Sequence, residues 1–407
     1  MRGHIHKRVH TTKKGSKSVL YYVVVDTTAA NGERKQSWGR GYRTKKEAER
    51  VLVDRLQEVL TGSGVARSHM TTGEYISEVW LPFKATSSKP TTVEAYVNIH
   101  RLYIAPKLGG VRLQSLTPAV LATWQQWLLT EGGTGQRRGP RNGPDTPTRR
   151  PLSVNTARKV RAVLHGALTH AQLIGLLGSD PLHGLSIKGR SDPSPKAWTA
   201  DELRCFLAEQ RSGESWLGPV VHFASHTGAR RGECLALAWN DVDVAARTVT
   251  IRRSVTVSAG MLHTDTPKNG RARTIDLDST TVAILDSVRR QQAENRRTWG
   301  PAYTDSNLVF ADELGRQRHP ESVSSAFERA VAASPEVSRL TFHGLRHTHA
   351  TLLLKAGVPV KVVAERLGHS DPAFTIRVYQ AVLPGMQADA AAAFAAVLSS
   401  PGLERPS

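Results

Sequence analysis

Only two cysteines, Cys205 and Cys234, occur in 407 residues, too few and too far apart for a disulfide framework or a zinc knuckle. Both read as core thiols of a protein that lives in a reducing cytosol. There is no run of about 18 apolar residues, and the N-terminus carries charges where a signal peptide needs an apolar stretch. A membrane-spanning or secreted protein is therefore not expected. Negative charge is also scarce: 35 Asp and Glu face 55 Lys and Arg, a formal net charge of +20. That is far beyond what solubility requires, so a polyanionic partner is the default explanation, with nucleic acid ahead of a membrane surface.

At this length one compact core is not expected, and three domains are read along the chain. Residues 1–64 hold 14 Lys and Arg against 6 Asp and Glu. Within them Ser18 to Val25 and Arg34 to Trp38 read as strands, and Thr44 with Glu47 opens a helix from Lys45 to Leu60. Lys13, Lys14, Lys17, Arg40 and Arg43 are the cations expected to contact DNA in this small α+β domain. Residues 70–190 turn helical, with capping boxes at Thr71/Glu74 and Thr91/Glu94 and an N-cap at Thr117 before Pro118. The clearest helix runs from Ser153 to Leu173 on one apolar stripe. A Gly-, Pro- and Arg-rich stretch, Gly132 to Pro151, adds Arg137 and Arg138 as DNA-contacting candidates. After a linker at Gly189 to Lys196, Thr199 and Glu202 open a third domain, residues 195–400, of helices around one β patch. That patch is read as Thr248 to Val257 and Ala272 to Leu277, separated by a turn at Lys268-Asn269-Gly270.

The chemistry-bearing residues all lie in the third domain. HTGARRGECLAL places Arg230 between a glycine turn and a helix, and Lys268 sits at the tip of TPKNGRART. TFHGLRHTHA puts His343 and Arg346 three apart, on one helical face. LGHS carries His369, and ten residues on comes Tyr379 in IRVYQAV. Each alone has an ordinary reading as a core histidine, a surface ion pair, a solvated lysine or a buried aromatic. A zinc site at His343 and His347 fails because Gly344 stands where the helical zinc motif needs glutamate.

Together and in this order, these elements resemble the tyrosine recombinase (phage integrase) family. Residue by residue, the resemblance implies a catalytic set of Arg230, Lys268, His343, Arg346, His369 and the nucleophile Tyr379, with Glu233 as acidic support. Ala229 and Asn269 depart mildly from the usual pattern without removing a catalytic group. The implied fold is multidomain and mainly α with small sheets: an arm-type DNA-binding domain, a helical SAM-like core-binding domain and a mixed α/β catalytic domain. The implied activity is site-specific cutting and rejoining of double-stranded DNA at attachment sites, integrating or excising a phage or other mobile element. It would proceed through a 3′-phosphotyrosyl link, in a homotetramer on DNA, in the cytoplasm and nucleoid of a bacterial host. An excision or directionality factor and a DNA-bending host protein are the expected helpers, and the Ala-rich helix Gly385 to Leu398 is expected to dock in cis or on a neighbouring protomer. No metal or other cofactor is implied. The alternatives are a type IB topoisomerase and a DNA-binding regulator without activity.

The residue types suit that reaction. A phenol with a pKa of about 10 is ionised in only roughly one molecule per thousand at pH 7, so cations must favour the phenolate. Two guanidiniums match the oxygens of a phosphate gaining charge and never deprotonate. Lys268 is expected to protonate the leaving 5′ oxygen, His343 to take the tyrosine proton, and His369 to donate a hydrogen bond to the phosphate.

Overall fold

The computed structural model describes residues 3–11, 17–28, 34–60, 68–133, 150–189, 196–212, 215–266, 270–368, 391–392 and 394–395. It divides into two compact units, Met1–Ser191 and Asp192–Ser407.

In the first unit, strands β1 (Gly3–Thr11), β2 (Lys17–Thr28) and β3 (Arg34–Tyr42) form an antiparallel sheet in that order. Helix α1 (Lys45–Leu60) packs on it, burying Val23, Tyr42 and Ala48 with Ile5, Tyr21, Val51 and Leu52 around them. Strand β1 was not expected, because its histidines and cations hide the period-2 pattern that Ile5 and Val9 begin. Thr44 caps α1 as expected, its Oγ1 accepting from the Glu47 amide at 3.3 Å.

The same unit contains a helical array. Helices α2 (Thr72–Glu74) and α3 (Leu81–Ala85) are joined by a wide π-type stretch, Tyr75–Trp80. Helices α4 (Pro90–Ile99) and α5 (Ala105–Leu108) are joined likewise through His100–Ile104, and α6 (Pro118–Thr130) and α7 (Val154–Leu173) follow. The Thr71/Glu74 box forms in both directions, and Thr117 and Ser153 cap α6 and α7. The expected box at Thr91/Glu94 does not form. Helix α4 starts two residues earlier, with Lys89 as cap and Pro90 in the first turn, where its fixed φ and missing N–H cost nothing. The apolar stripe of α7 is buried against Tyr75, Ile76, Trp80, Leu121 and Leu128, with the Tyr75 hydroxyl donating to the Ala167 carbonyl at 3.0 Å.

The second unit opens with α8 (Ala200–Ser212), capped reciprocally by Thr199 and Glu202. Then come α9 (Leu217–Thr227), the short α10 (Arg231–Leu235), a sheet of order β4 (Val242–Asp243), β5 (Thr248–Ile251), β8 (Arg273–Asp276), and a separate hairpin of β6 (Ser254–Ser258) and β7 (Met261–Asp265). Helices α11 (Ser279–Trp299), α12 (Pro320–Ala333), α13 (Phe342–Lys355) and α14 (Val360–Leu367) follow. The β patch is thus more divided than the sequence suggested. One strand was expected over Thr248 to Val257, but it breaks at Arg252 and Arg253, whose guanidiniums reach the buried Asp241 carboxylate at 2.7 and 2.5 Å. The extra hairpin turns at Ala259-Gly260, both with positive φ, the backbone that matches the twist of paired strands. The core runs through Trp198, Phe206, Phe223, Leu235, Val249, Ile275, Phe327 and Leu345. Helices α13 and α14 reach the C-terminal end of α9, where His349 Nδ1 lies 2.9 Å from the Ser225 carbonyl and Arg366 Nη2 donates to the His226 carbonyl at 3.0 Å.

Candidate active site

Helix α9 ends at Gly228, whose φ of 65° is left-handed. A side chain there would be strained, and its Cβ would lie 2.6 Å from Leu367 Cδ2 and 2.8 Å from His349 Cδ2, so only glycine fits. The turn delivers Arg230 to the N-cap of α10. Of the two adjacent arginines, Arg231 turns toward α12, bonding Ser324 Oγ, whereas Arg230 turns to Glu233. The Arg230 amide donates to Glu233 Oε2 at 2.9 Å and its Nη1 to Oε1 at 2.7 Å.

Glu233 is fully buried and has a second cation, Arg273 on β8. Arg273 Nη2 donates to Oε2 at 2.6 Å, Nη1 to Oε1 at 3.3 Å, and Nε to the Arg366 carbonyl at 2.9 Å. Burial by itself would raise the Glu233 pKa. The hydrogen bond and charge of Arg273, with the Arg230 amide and guanidinium, outweigh it and hold the carboxyl down to about 2. Glu233 is therefore ionised and fixes the Arg230 side chain, which remains about a quarter exposed.

Arg346 lies in the second turn of α13 and is only 3% exposed. Its Nη1 donates to the Gly228 carbonyl at 2.8 Å and its Nη2 to the Leu367 carbonyl at 2.7 Å. One guanidinium thus links the α9 turn to the end of α14, where Gly368 (φ 67°) closes the helix against the Arg273 side chain. Arg366 extends this lattice, donating from Nη2 to the His226 and Asp276 carbonyls at 3.0 and 3.1 Å and from Nε to His349 Nε2 at 3.3 Å. His349 Nδ1 carries the ring proton, since it lies 2.9 Å from the Ser225 carbonyl. The carbonyls at the electronegative end of α14 are thus met by Arg273 and Arg346.

Of the catalytic residues expected from sequence, the structure gathers Arg230, Glu233 and Arg346 around one turn. His343, in the first turn of α13, is exposed, and its ring meets His347 edge-on at 5.0 Å. Lys268, His369 and Tyr379 lie outside the described residues, as does most of the Ala-rich stretch 385–398. Among the expected DNA contacts, Arg40 and Arg43 are exposed, with Arg40 5.3 Å above the Tyr42 ring. Lys17 begins β2, and Lys13, Lys14, Arg137 and Arg138 lie outside the described residues. Sequence reasoning missed Arg273 and Arg366. Arg273 is one of two arginines just after Lys268, and nothing local in the sequence marks it as the second cation that the buried Glu233 requires.

Buried neutral histidines give this region a pH signature. Burial, aided by Arg366, pushes His349 down to about 3, and burial with His226 and Arg211 nearby brings His222 to about 3. When unfolded both take up protons below about 6.5, and when folded they do not until about 3. Their contribution is therefore complete above pH 6.5 and declines as pH falls, by about 1.4 kcal/mol per pH unit for each group. Glu233 adds to the same trend below 4.5. The urea midpoint and the protection of α9 and α13 amides from hydrogen exchange are expected to drop between pH 7 and pH 5; unchanged values would contradict the burial.

Three family models match the chain: "Phage integrase family" over residues 197–385, "Arm DNA-binding domain" over 8–59 and "Phage integrase, N-terminal SAM-like domain" over 73–129. The chain belongs to the phage integrase family of tyrosine recombinases. It is 26% identical to the tyrosine recombinase XerC-like protein of Caldanaerobacter subterraneus subsp. tengcongensis, covering 94% of this chain and 97% of that one. It is 25% identical to an integrase of Streptomyces ambofaciens, covering 86% of each. In fold it is similar to the Tn1549 transposon integrase in complex with a circular intermediate DNA (TM-score 0.63, 19% identity, 76% of this chain and 95% of that one). It is likewise similar to a lambda integrase dimer bound to a core site (TM-score 0.53, 17% identity, 91% and 93%). Among the described residues, no helix is long and apolar enough to cross a membrane.

Proposed function

We propose that this chain is the integrase of a mobile element, cutting and rejoining double-stranded DNA at attachment sites. The observation that carries the reading is Arg346, a buried guanidinium tying the turn that delivers Arg230 to the end of α14, two residues before His369. In this reading the Tyr379 oxygen attacks a backbone phosphorus, forming the phosphotyrosyl bond as the bond to the 5′ oxygen breaks. His343 accepts the phenol proton and Lys268 supplies one to the leaving oxygen. Arg230 and Arg346 stabilise the charge gained by the phosphate oxygens, with His369 donating a further hydrogen bond. The bond energy stays in the phosphotyrosyl ester, so resealing by another strand's 5′ hydroxyl needs no ATP.

Residues 1–64 would bind arm-type sites through Lys13, Lys14, Lys17, Arg40 and Arg43. Residues 70–190, with Arg137 and Arg138, and residues 195–400 would bind the core site. The structurally similar lambda integrase has been solved as a tetramer bound to a Holliday junction, which supports a tetrameric assembly here. An excision factor and a DNA-bending host protein are the proposed helpers.

The test is strand exchange in EDTA between two duplexes carrying the sequences that flank the element in its host and in circular form. Recombinant products are expected, and binding should weaken with salt at a log–log slope of about −0.9 per phosphate contact. Relaxation of supercoiled plasmid without recombinants would point to a topoisomerase instead.

A further inference from the structure

Helix α9 carries a second polar cluster on the side chains of His222 and His226. They are four residues apart and so share a face, with rings stacked 3.7 Å centroid to centroid. Against them lies Asp278, the N-cap of α11, whose Oδ1 accepts from the Thr281 amide at 2.9 Å and whose Oδ2 accepts from the Thr281 hydroxyl at 2.6 Å. One ligand atom from each of His222, His226 and Asp278 lies within 4.8 Å of the others. We propose that these three residues form a binding site for a divalent transition-metal ion of the zinc class, accessory to the strand-transfer chemistry, which pins the end of α9 to the start of α11.

The donor set is right for such an ion, two imidazoles and one carboxylate. The outer interactions also fit. His226 Nδ1 lies 3.0 Å from the His222 carbonyl and donates to it, which holds the ring proton there and leaves Nε2 as the ligand, the arrangement that orients metal-bound histidines. His222 is 2% exposed and shares this face. Its Nε2 lies 3.1 Å from Thr281 Oγ1 and its Nδ1 3.5 Å from Arg211 Nη2. Arg211 can only donate, so the ring proton in the metal-free network sits on Nε2 and points to Thr281. Metal entry moves that proton to Nδ1, the exposed Arg211 side chain swings away, and the Thr281 hydroxyl keeps its bond to Asp278. Ligand atoms up to 4.8 Å apart must close to the separations that bonds of about 2.0–2.2 Å allow. Small rotations of the two rings bring this about, and water takes the remaining positions on the Asp278 side, which is exposed. His226 lies four residues before Arg230, and its carbonyl is already held by Arg366, so occupancy should stiffen the active-site turn.

The test uses the full-length chain without a histidine tag, and Zn2+ alone as probe, in equilibrium dialysis against a chromophoric chelator. One zinc per chain is expected. Its affinity should fall at least ~10-fold in His226→Ala and in Asp278→Asn; the asparagine preserves the helix cap, so loss there is not a folding defect. His347→Ala should bind as wild type, which separates this site from the His343–His347 pair. Zinc should also raise the unfolding temperature of wild type but not of the two variants. No bound zinc, or zinc bound equally by His226→Ala and Asp278→Asn, would overturn the proposal.

Discussion

Glu233→Ala is expected to destabilise the second unit by about 3–5 kcal/mol, the usual cost of breaking a buried ion pair by deleting one partner. The figure rests on burial. Glu233 has no exposed side-chain surface, and Arg273 retains 9%, so deletion leaves two guanidiniums side by side with little water to replace the carboxylate. Pairs such as Arg204–Asp201, with side chains 76% and 84% exposed, are worth only about 0–1 kcal/mol, and Asp201→Ala serves as the control. Arg273→Ala should fall between the two, because Arg230 still compensates the carboxylate while a buried hydrogen-bonding partner is lost. Urea unfolding of the three variants checks the ranking. A loss for Glu233→Ala no larger than for Asp201→Ala would mean that water reaches the carboxylate and that Arg230 is not rigidly held.

Arg346→Ala is expected to slow DNA cleavage by about 10²–10³-fold, the range found when one preorganised donor to a developing oxyanion is removed. Two effects combine here. The reacting phosphate loses a guanidinium, and the carbonyls of Gly228 and Leu367 lose the donor that joins α9 to α14. Arg346→Lys distinguishes them. An ammonium keeps the charge but cannot span two carbonyls with a planar fork, so it should recover little of the rate if positioning matters. Single-turnover cleavage rates at saturating DNA are the measurement, with DNA affinity expected to change far less than rate. Equal losses in affinity and rate would recast Arg346 as a DNA-binding residue rather than one acting in the transition state.

The parts of the fold legible in the sequence are those set by local rules. Reciprocal caps at Thr71/Glu74 and Thr199/Glu202, the Thr117-Pro118 start and the stripe of α7 each depend on residues within a few positions of one another. Elements that depend on distant partners were not legible. The short β7 is exposed along its whole length, so it carries no alternation. At the site, Arg230, Glu233 and Arg346 stood out because their motifs are local, though nothing in TFHGLRHTHA says that Arg346 is buried while His343 faces solvent. Arg273 and Arg366 look like ordinary charges until β8 and α14 bring them, across 40 and 140 residues, to Glu233 and the His226 carbonyl. The His222–His226–Asp278 cluster was not legible for the same reason: its third member lies beyond the β patch.

The most direct test of the mechanism is covalent trapping. Wild type and Tyr379→Phe are incubated in EDTA with suicide duplexes, nicked so that the freed 5′ hydroxyl strand diffuses away, and the products are run on a denaturing gel. The account predicts a protein–DNA band for wild type, none for the variant despite equal DNA binding, and a tryptic peptide carrying the nucleotide on Tyr379. A band of equal intensity from Tyr379→Phe, or specific DNA binding by wild type with no covalent product on substrates bearing its own attachment sites, would contradict it.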